Sequence, residues 1–105
     1  MKRIILAVAA LLALTAAQRS NPYAGQPDAV AAGRKLFRSE CAQCHGTEAD
    51  GGPKAPSLRS PRVQETSDDA LFKFVTNGRL KHGMPSWSRM PDERRWQIVA
   101  YLKSL

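Results

Sequence analysis

The 105-residue chain has few of the features that mark large or cross-linked proteins. With only two cysteines it can form at most one disulfide, which excludes a scaffold held together by several bridges. Its single long apolar run, residues 4–14, is shorter than the roughly 20 residues of a comfortable membrane span. The sequence also lacks the alternating pattern of strands and any internal repeat. A multi-span membrane protein and a large two-domain enzyme are therefore excluded.

Apolar residues are unevenly distributed along the chain. The whole sequence is 43% hydrophobic, but residues 1–17 hold a disproportionate share of these residues. The remainder is poor in apolar side chains for a small domain that has to bury a core. We therefore expect this domain to need help in folding.

The N-terminal residues have the three parts of a secretory signal peptide. Lys2 and Arg3 form a positive start, residues 4–14 are apolar, and Thr15-Ala16-Ala17 supplies the small residues of a cleavage site. We predict a signal peptide at residues 1–17 and export from the cytoplasm. An uncleaved N-terminal anchor is the alternative.

Three amphipathic helices are predicted after a flexible lead-in at residues 18–28, which contains proline and glycine. Asp28 is the predicted N-cap of the first helix, Ser67 marks the start of the second, and Pro91 is predicted at the first position of the last. The second helix is expected to end at Asn77-Gly78, and residues 46–63 and 79–90 are expected to be loops. The pattern predicts an all-α domain over residues 29–105.

The segment Cys41-Ala42-Gln43-Cys44-His45 is a C-x-x-C-H motif, the attachment pattern of c-type haem. Two thiols three positions apart can each add to one vinyl group of the same porphyrin. The adjacent His45 then lies under the iron as the proximal ligand. A secretory signal supports this interpretation, because such attachment takes place outside the cytoplasm. A covalently held haem would also supply the missing apolar core.

Three other interpretations of the cysteines remain open. A thioredoxin-like redox pair requires a βαβ context, which the pattern does not indicate. A structural zinc site requires four ligands, and the candidates are Cys41, Cys44, His45 and His82. A disulfide between Cys41 and Cys44 would close so short a loop that it would stabilise the fold little.

A haem iron has a second axial position, for which His82, Met84 and Met90 are the candidates. Met84 is favoured, because Gly83 lets the backbone approach closely and Pro85 restricts Met84 to an extended conformation. His82 is the alternative, although a single histidine in a polar loop is more often a surface residue. Met90, at a helix start, is more typical of a core contact, and an open sixth site is also left as an alternative.

With these residues the chain resembles the small monohaem class I cytochromes c of bacteria, over about residues 29–105. The C-x-x-C-H motif followed by Gly46, the Met84-Pro85 pair and the terminal helix carry the resemblance. It implies an all-α, cytochrome c-like domain wrapped around one covalently attached haem c. The implied haem residues are two covalent anchors and two axial ligands, namely Cys41, Cys44, His45 and Met84.

The resemblance also implies roles for residues around the haem. Pro56 is expected to offer its carbonyl to the proximal His45, which would fix the tautomer of that ring. Trp87 is expected to contact the haem pocket. A glycine and an aromatic on the first helix are expected to pack against an aliphatic and an aromatic on the last, the matching residues being Gly33, Phe37, Ile98 and Tyr101.

The resemblance implies electron transfer and not an enzyme. The sequence offers no catalytic nucleophile, paired carboxylates or phosphate-binding glycine loop, and Met84 on the iron would block a substrate. We expect a periplasmic one-electron carrier that exchanges electrons with a dehydrogenase, another cytochrome or a terminal oxidase. The alternatives are a haem subunit fixed in a larger dehydrogenase or oxidase complex, and a haem enzyme or sensor with an open sixth site.

The formal net charge of +7 also bears on partners. The basic residues are dispersed, so nucleic-acid binding is not expected. Arg79, Lys81 and Arg89 flank Met84 in sequence, which predicts steering toward an acidic docking face of the partner. A merely solvated surface is the alternative. We expect membrane contact only through a partner or an uncleaved signal.

Overall fold

A computed structural model describes residues 19–105, so the signal peptide predicted at residues 1–17 lies outside the described residues. The described part is helical, and an isolated pair of bridging residues is its sole β-type feature. Its α-helices are α1 (Pro27–Glu40), α2 (Ala42–His45), α3 (Pro61–Gln64), α4 (Asp68–Asn77) and α5 (Asp92–Leu102), with a 3-10 turn at Leu80–His82. The predicted all-α class is confirmed. None of the helices in residues 19–105 has the length and apolar character that crossing a bilayer requires.

Helices α1 and α5 cross at Gly33, which is buried. A Cβ added there would lie 1.9 Å from the carbonyl oxygen of Gln97 and 3.0 Å from Tyr101 Cβ. One turn further along α1, the ring of Phe37 packs on that of Tyr101 with centroids 5.3 Å apart. Ile98 is buried in the same cluster at 1% exposure. The predicted contact between the first and last helices is therefore present.

Helix α4 packs its apolar face on the other side of α5. The rings of Phe72 and Trp96 stack with centroids 4.0 Å apart, and Leu71 and Val99 complete the cluster. The helix starts as predicted, because the Ser67 hydroxyl accepts a hydrogen bond from a backbone N–H in the first turn. It ends as predicted at Asn77, followed by a glycine with a positive φ.

The described part of the lead-in that the sequence predicts to be flexible makes contacts with the helices. The side chain of Asn21 is buried and its Nδ2 donates to the carbonyl oxygen of Trp96 at 2.9 Å. Arg19 donates to Asp69 at 2.7 Å, and Tyr23 packs against the α4–α5 cluster. A turn brings these side chains onto the helices, because the N–H of Ala24 bonds back to the carbonyl of Asn21.

The starts of α1 and α5 differ by a residue or two from the prediction. Helix α1 begins at Pro27 with Gln26 as its N-cap, so Asp28 lies in the first turn and is not the cap. Helix α5 begins at Asp92, and Pro91 is its N-cap. Proline lacks an N–H and is suited to the first turn, where the helix has no acceptor for that group.

Each predicted loop contains one short helical turn. Residues 46–63 include the start of α3, where the Ser60 hydroxyl accepts a hydrogen bond from the N–H of Val63 at 3.4 Å. Residues 79–90 include the 3-10 turn Leu80–His82. The apolar periodicity that predicts helices cannot be read over so few residues.

Candidate functional site

The C-x-x-C-H motif forms a helical turn directly after α1. The N–H of Cys41 bonds to the carbonyl of Phe37 at 2.8 Å, which continues the helical hydrogen bonding of α1. The N–H groups of Cys44 and His45 then bond to the carbonyl of Cys41 at 3.3 and 3.1 Å. All three motif side chains line one cavity, so a ligand there could meet both thiols and the imidazole.

The cavity lies between α1, α4, α5 and the loop that follows α2. Its volume is about 680 Å³, within the range of about 300–1,000 Å³ typical of cofactor sites. Its walls include the apolar side chains of Phe37, Leu58, Leu71, Val75, Ile98 and Leu102. An apolar cavity with two thiols, an imidazole and a thioether at its wall fits a haem by the chemistry of its donors.

His45 is oriented by the loop after α2. Its Nδ1 lies 3.3 Å from the carbonyl oxygen of Pro56. A carbonyl can only accept, so Nδ1 carries the proton in this contact and Nε2 is left as the basic nitrogen. The loop is closed by the N–H of Leu58, which bonds to the carbonyl of Ala49 at 2.8 Å. The geometry thus leaves one defined nitrogen of His45 for a metal.

Met84 lies at the cavity wall in the Met84 loop, residues 78–91, which joins α4 to α5. Met84 and Arg79 form a two-bond antiparallel bridge, with N–O distances of 2.9 and 3.1 Å. Gly78 allows the strands of this bridge to approach, because a Cβ there would lie 2.4 Å from the carbonyl oxygen of Pro85. The N–H of Trp87 bonds to the carbonyl of Val75 at 3.1 Å.

The structure distinguishes between His82 and Met90, the other candidates for the second axial ligand of the haem iron. His82 also lines the cavity, so it stays within the set of candidate ligands. Met90 instead packs, half-buried, against the core cluster of Phe37 and Ile98. Trp87 lines the cavity beside Met84, as does Pro56 beside His45.

Two alternatives for the cysteines lose support. Within residues 19–105, no three or more histidine, cysteine, aspartate or glutamate side chains are grouped so as to hold a metal ion. The four residues of the zinc alternative line the same cavity but are not grouped closely enough there to share one metal ion. Cys41 and Cys44 are free thiols, and the described chain has none of the βαβ context of a thioredoxin-like pair.

The electrostatics of the Cys41 thiol reflect the apolar cavity wall. Burial raises the pKa of Cys41 to about 11, and electrostatic interactions with Glu40 and Cys44 add to this effect. The thiol is therefore neutral at neutral pH.

Sequence reasoning missed Arg95, which lies on α5 and is buried. Its spacing from Ile98 and Leu102, three and seven residues, puts it on the apolar stripe of the helix. This position could have indicated a structural role for Arg95, because a charged side chain on a buried helix face is stable only when its polar groups are paired.

Comparison with known proteins gives the family. The family model described as Cytochrome C oxidase, cbb3-type, subunit III matches residues 28–102. Cytochrome c550 of Pseudomonas aeruginosa is 35% identical over 89 residues, which cover 81% of this chain and 61% of that protein. The cbb3-type cytochrome c oxidase subunit FixP of Bradyrhizobium sp. is 39% identical over 79 residues, covering 71% of this chain and 27% of that protein.

A solved structure is also similar. The crystal structure of cytochrome CL from the methylotrophic bacterium Methylophaga aminisulfidivorans matches with a TM-score of 0.71 and 26% sequence identity. The match covers 81% of this chain and 58% of that one. The present chain thus spans less than two thirds of the length of each of these three relatives. Since the family model covers most of the chain and the fold agrees, the chain belongs to this electron-transfer family of cytochromes c, as a small class I domain with one haem c.

Proposed function

We propose that this chain is a periplasmic one-electron carrier whose haem is attached through Cys41 and Cys44 and ligated by His45 and Met84. One observation carries the proposal: the C-x-x-C-H turn and Met84 line the same apolar cavity. The bound haem supplies an iron that gains and loses one electron. The residues of the chain supply attachment, ligation and exclusion of water.

The two axial side chains are held by different means. The Pro56 carbonyl fixes the tautomer and direction of His45, and such contacts strengthen a metal ligand. Met84 is held by its bridge to Arg79. Because the His45 ring and the Met84 backbone are each held by a backbone contact, these residues would have little to rearrange when a bound haem changes its oxidation state. A thioether in place of a second imidazole raises the reduction potential.

The axial assignment is tested by absorption spectra of the purified ferric protein. We expect a weak sulfur-to-iron band near the red edge that is lost in Met84→Ala. The matched control is Met90→Ala, which should keep the band because Met90 packs in the core. Loss of the band only in Met90→Ala would contradict the assignment. A low-potential spectrum typical of two imidazoles, unchanged in both variants, would move the assignment to His82.

The proposal includes a docking surface beside Met84, formed by Phe74, Arg79, Leu80 and Lys81. Leu80 is 75% exposed and Phe74 is 44% exposed, and both residues line the same open groove on the surface. The guanidinium of Arg79 lies over the ring of Phe74, 5.5 Å from its centroid. An apolar centre with cations around it suits an acidic redox protein, such as a dehydrogenase, another cytochrome or a terminal oxidase.

A second candidate is a haem module fixed in a larger complex. It is favoured by the similarity to FixP, which is named as a subunit of a cbb3-type oxidase. Affinity purification of the native protein under mild conditions distinguishes the two functions. A free carrier is recovered alone, whereas a fixed module is recovered with stoichiometric partner subunits. A haem enzyme with an open sixth site would instead show no sulfur-to-iron band.

Export is proposed from residues 1–17, which have the parts of a signal peptide. Cleavage after Ala17 would release a mature chain that starts at Gln18. Sequencing of the N-terminus of the protein from the periplasmic fraction tests this. An intact N-terminal Met1 on a membrane-bound protein would support the uncleaved anchor instead.

A further inference from the structure

Arg95 is a charged side chain in the interior of the domain, with a relative exposure of 6%. A buried guanidinium is strongly unfavourable unless its donors are paired. The groups that pair with the Arg95 guanidinium therefore indicate the role of this residue. The cytochrome c family assignment and the proposed haem ligands leave this residue without a role.

The guanidinium of Arg95 contacts both ends of the Met84 loop. Nε donates to the carbonyl oxygen of Met90 at 3.0 Å, near the end of the loop. One Nη donates to the hydroxyl of Thr76, two residues before the loop starts. The other Nη pairs with Asp92 Oδ1, and the guanidinium lies 4.8 Å above the ring of Phe72. One side chain thus ties the segments before and after the loop together.

Thr76 continues this network into the loop itself. Its carbonyl oxygen accepts a hydrogen bond from Ser86 Oγ at 2.6 Å, two residues after Met84. This carbonyl is one of the last of α4 and has no partner within the helix. The hydroxyl of Thr76 donates to the carbonyl of Phe72 at 2.7 Å, so it accepts from Arg95 in a fixed orientation. A chain of hydrogen bonds therefore runs from Arg95 through Thr76 to Ser86.

We propose that Arg95 is a positioning residue for Met84, which clasps the Met84 loop through Thr76 and Met90 and so controls how readily the methionine sulfur leaves the haem iron. The inference rests on the proposed ligation by Met84. Displacement of Met84 from the cavity requires the loop to move. The clasp opposes that movement from outside the cavity, because neither Arg95 nor Thr76 is among the residues that line it.

The test is an imidazole titration of the full-length ferric holoprotein. Free imidazole binds the iron only when Met84 has left, so its apparent affinity reports the fraction of molecules with a displaced loop. Arg95→Met keeps an unbranched apolar stem but loses the donors. Thr76→Val is close in shape and loses the hydroxyl, whereas Thr76→Ser keeps it.

We expect Arg95→Met and Thr76→Val to raise the apparent imidazole affinity roughly tenfold, which corresponds to the loss of one good hydrogen bond. Thr76→Ser should remain within about twofold of the wild type, since the hydroxyl is retained. The matched control is Asn21→Ala, which removes a buried hydrogen bond to α5 away from the loop. It should lower the melting temperature without changing the imidazole affinity.

The outcomes separate this inference from the proposed ligation. Lower melting temperatures with unchanged imidazole affinity in both clasp variants would overturn the role of Arg95. A wild-type protein without a sulfur-to-iron band, and with the same imidazole affinity as Met84→Ala, would instead overturn ligation by Met84. If Arg95→Met does not fold, the comparison of Thr76→Val with Thr76→Ser decides, because both retain Arg95.

Discussion

Gly33 on α1 lies against the backbone of Gln97 on α5, so closely that a Cβ at position 33 would be 1.9 Å from the carbonyl oxygen of Gln97. This approach brings the ring of Phe37 onto that of Tyr101. The C-x-x-C-H turn follows α1 directly, so the crossing also places Cys41 at the cavity wall. A packing contact two helical turns before the motif therefore helps to build the haem site.

A side chain at position 33 should be strongly destabilising. The two nearest atoms that it would meet belong to the backbone of α5, which cannot rotate away as a side chain could. We expect Gly33→Val to lower the free energy of unfolding by about 3 kcal/mol, the upper part of the usual range for overpacking. Urea denaturation of the holoprotein measures this. The matched control is Ala31→Val on the exposed side of α1, and equal stability of the two variants would refute the crossing.

The haem is expected to complete the core of the domain. Cys41→Ala combined with Cys44→Ala should give an apoprotein that loses much of its helix content, because the cavity of about 680 Å³ then has no covalently held occupant. Circular dichroism compared with the wild-type holoprotein measures the loss. Helix content equal to that of the holoprotein would show that the helices pack without haem.

The basic residues that flank Met84 in sequence should act on docking and not on the iron. We expect Lys81→Glu combined with Arg89→Glu to slow electron transfer with an acidic redox partner at low ionic strength. The deficit should shrink as salt is added, since charges are screened over about 10 Å at 0.1 M. The reduction potential should change little, because these side chains are exposed.

Stopped-flow rates at two salt concentrations measure the docking effect. Arg34→Glu combined with Lys35→Glu is the matched control, because it makes the same charge change on the exposed side of α1. A rate loss that is independent of salt, or equal in the two double variants, would show that docking uses another face.

Asp69 makes the packing of the N-terminal segment dependent on pH. Desolvation of the carboxyl would raise its pKa, but hydrogen bonds from Lys73 and Arg19 outweigh this and hold the pKa of Asp69 below its ordinary value. The distances are 3.2 Å to Lys73 Nζ and 2.7 Å to Arg19 Nε. Because the pKa is lowered in the folded state, the stabilisation is complete above the unfolded value and is lost as pH falls through the folded value.

Replacement of the carboxyl should remove this dependence. We expect Asp69→Asn to be less stable than the wild type at neutral pH, with the difference closing below about pH 4, near the ordinary pKa of aspartate. Urea midpoints of both proteins over this pH range measure the difference. A difference that stays constant on acidification would show that the ion pairs contribute nothing.

Local patterns in the sequence were sufficient to predict several parts of this protein. The C-x-x-C-H spacing alone indicates haem attachment, because two thiols three positions apart and an adjacent imidazole suit a single porphyrin. Helix α4 was predicted from its start at Ser67 to its end at Asn77, since capping residues and helical spacing are local properties. The contact of Gly33 with α5 followed from the family resemblance and is present in the fold.

Only the tertiary structure decided the features that depend on distant partners. The sequence places Asn21 in a polar lead-in, yet its side chain is buried against Trp96, which lies 75 residues away in sequence. In the sequence, no motif distinguishes Arg95 from the other basic residues. Its contacts with Thr76 and Met90 exist only because α4 and α5 pack together. The sequence by itself was sufficient to predict the C-x-x-C-H motif as a haem attachment site, because that chemistry depends on residue type and short spacing. Which charged and polar side chains hold those residues in position was decided by the fold, because burial brings together groups that no local pattern relates.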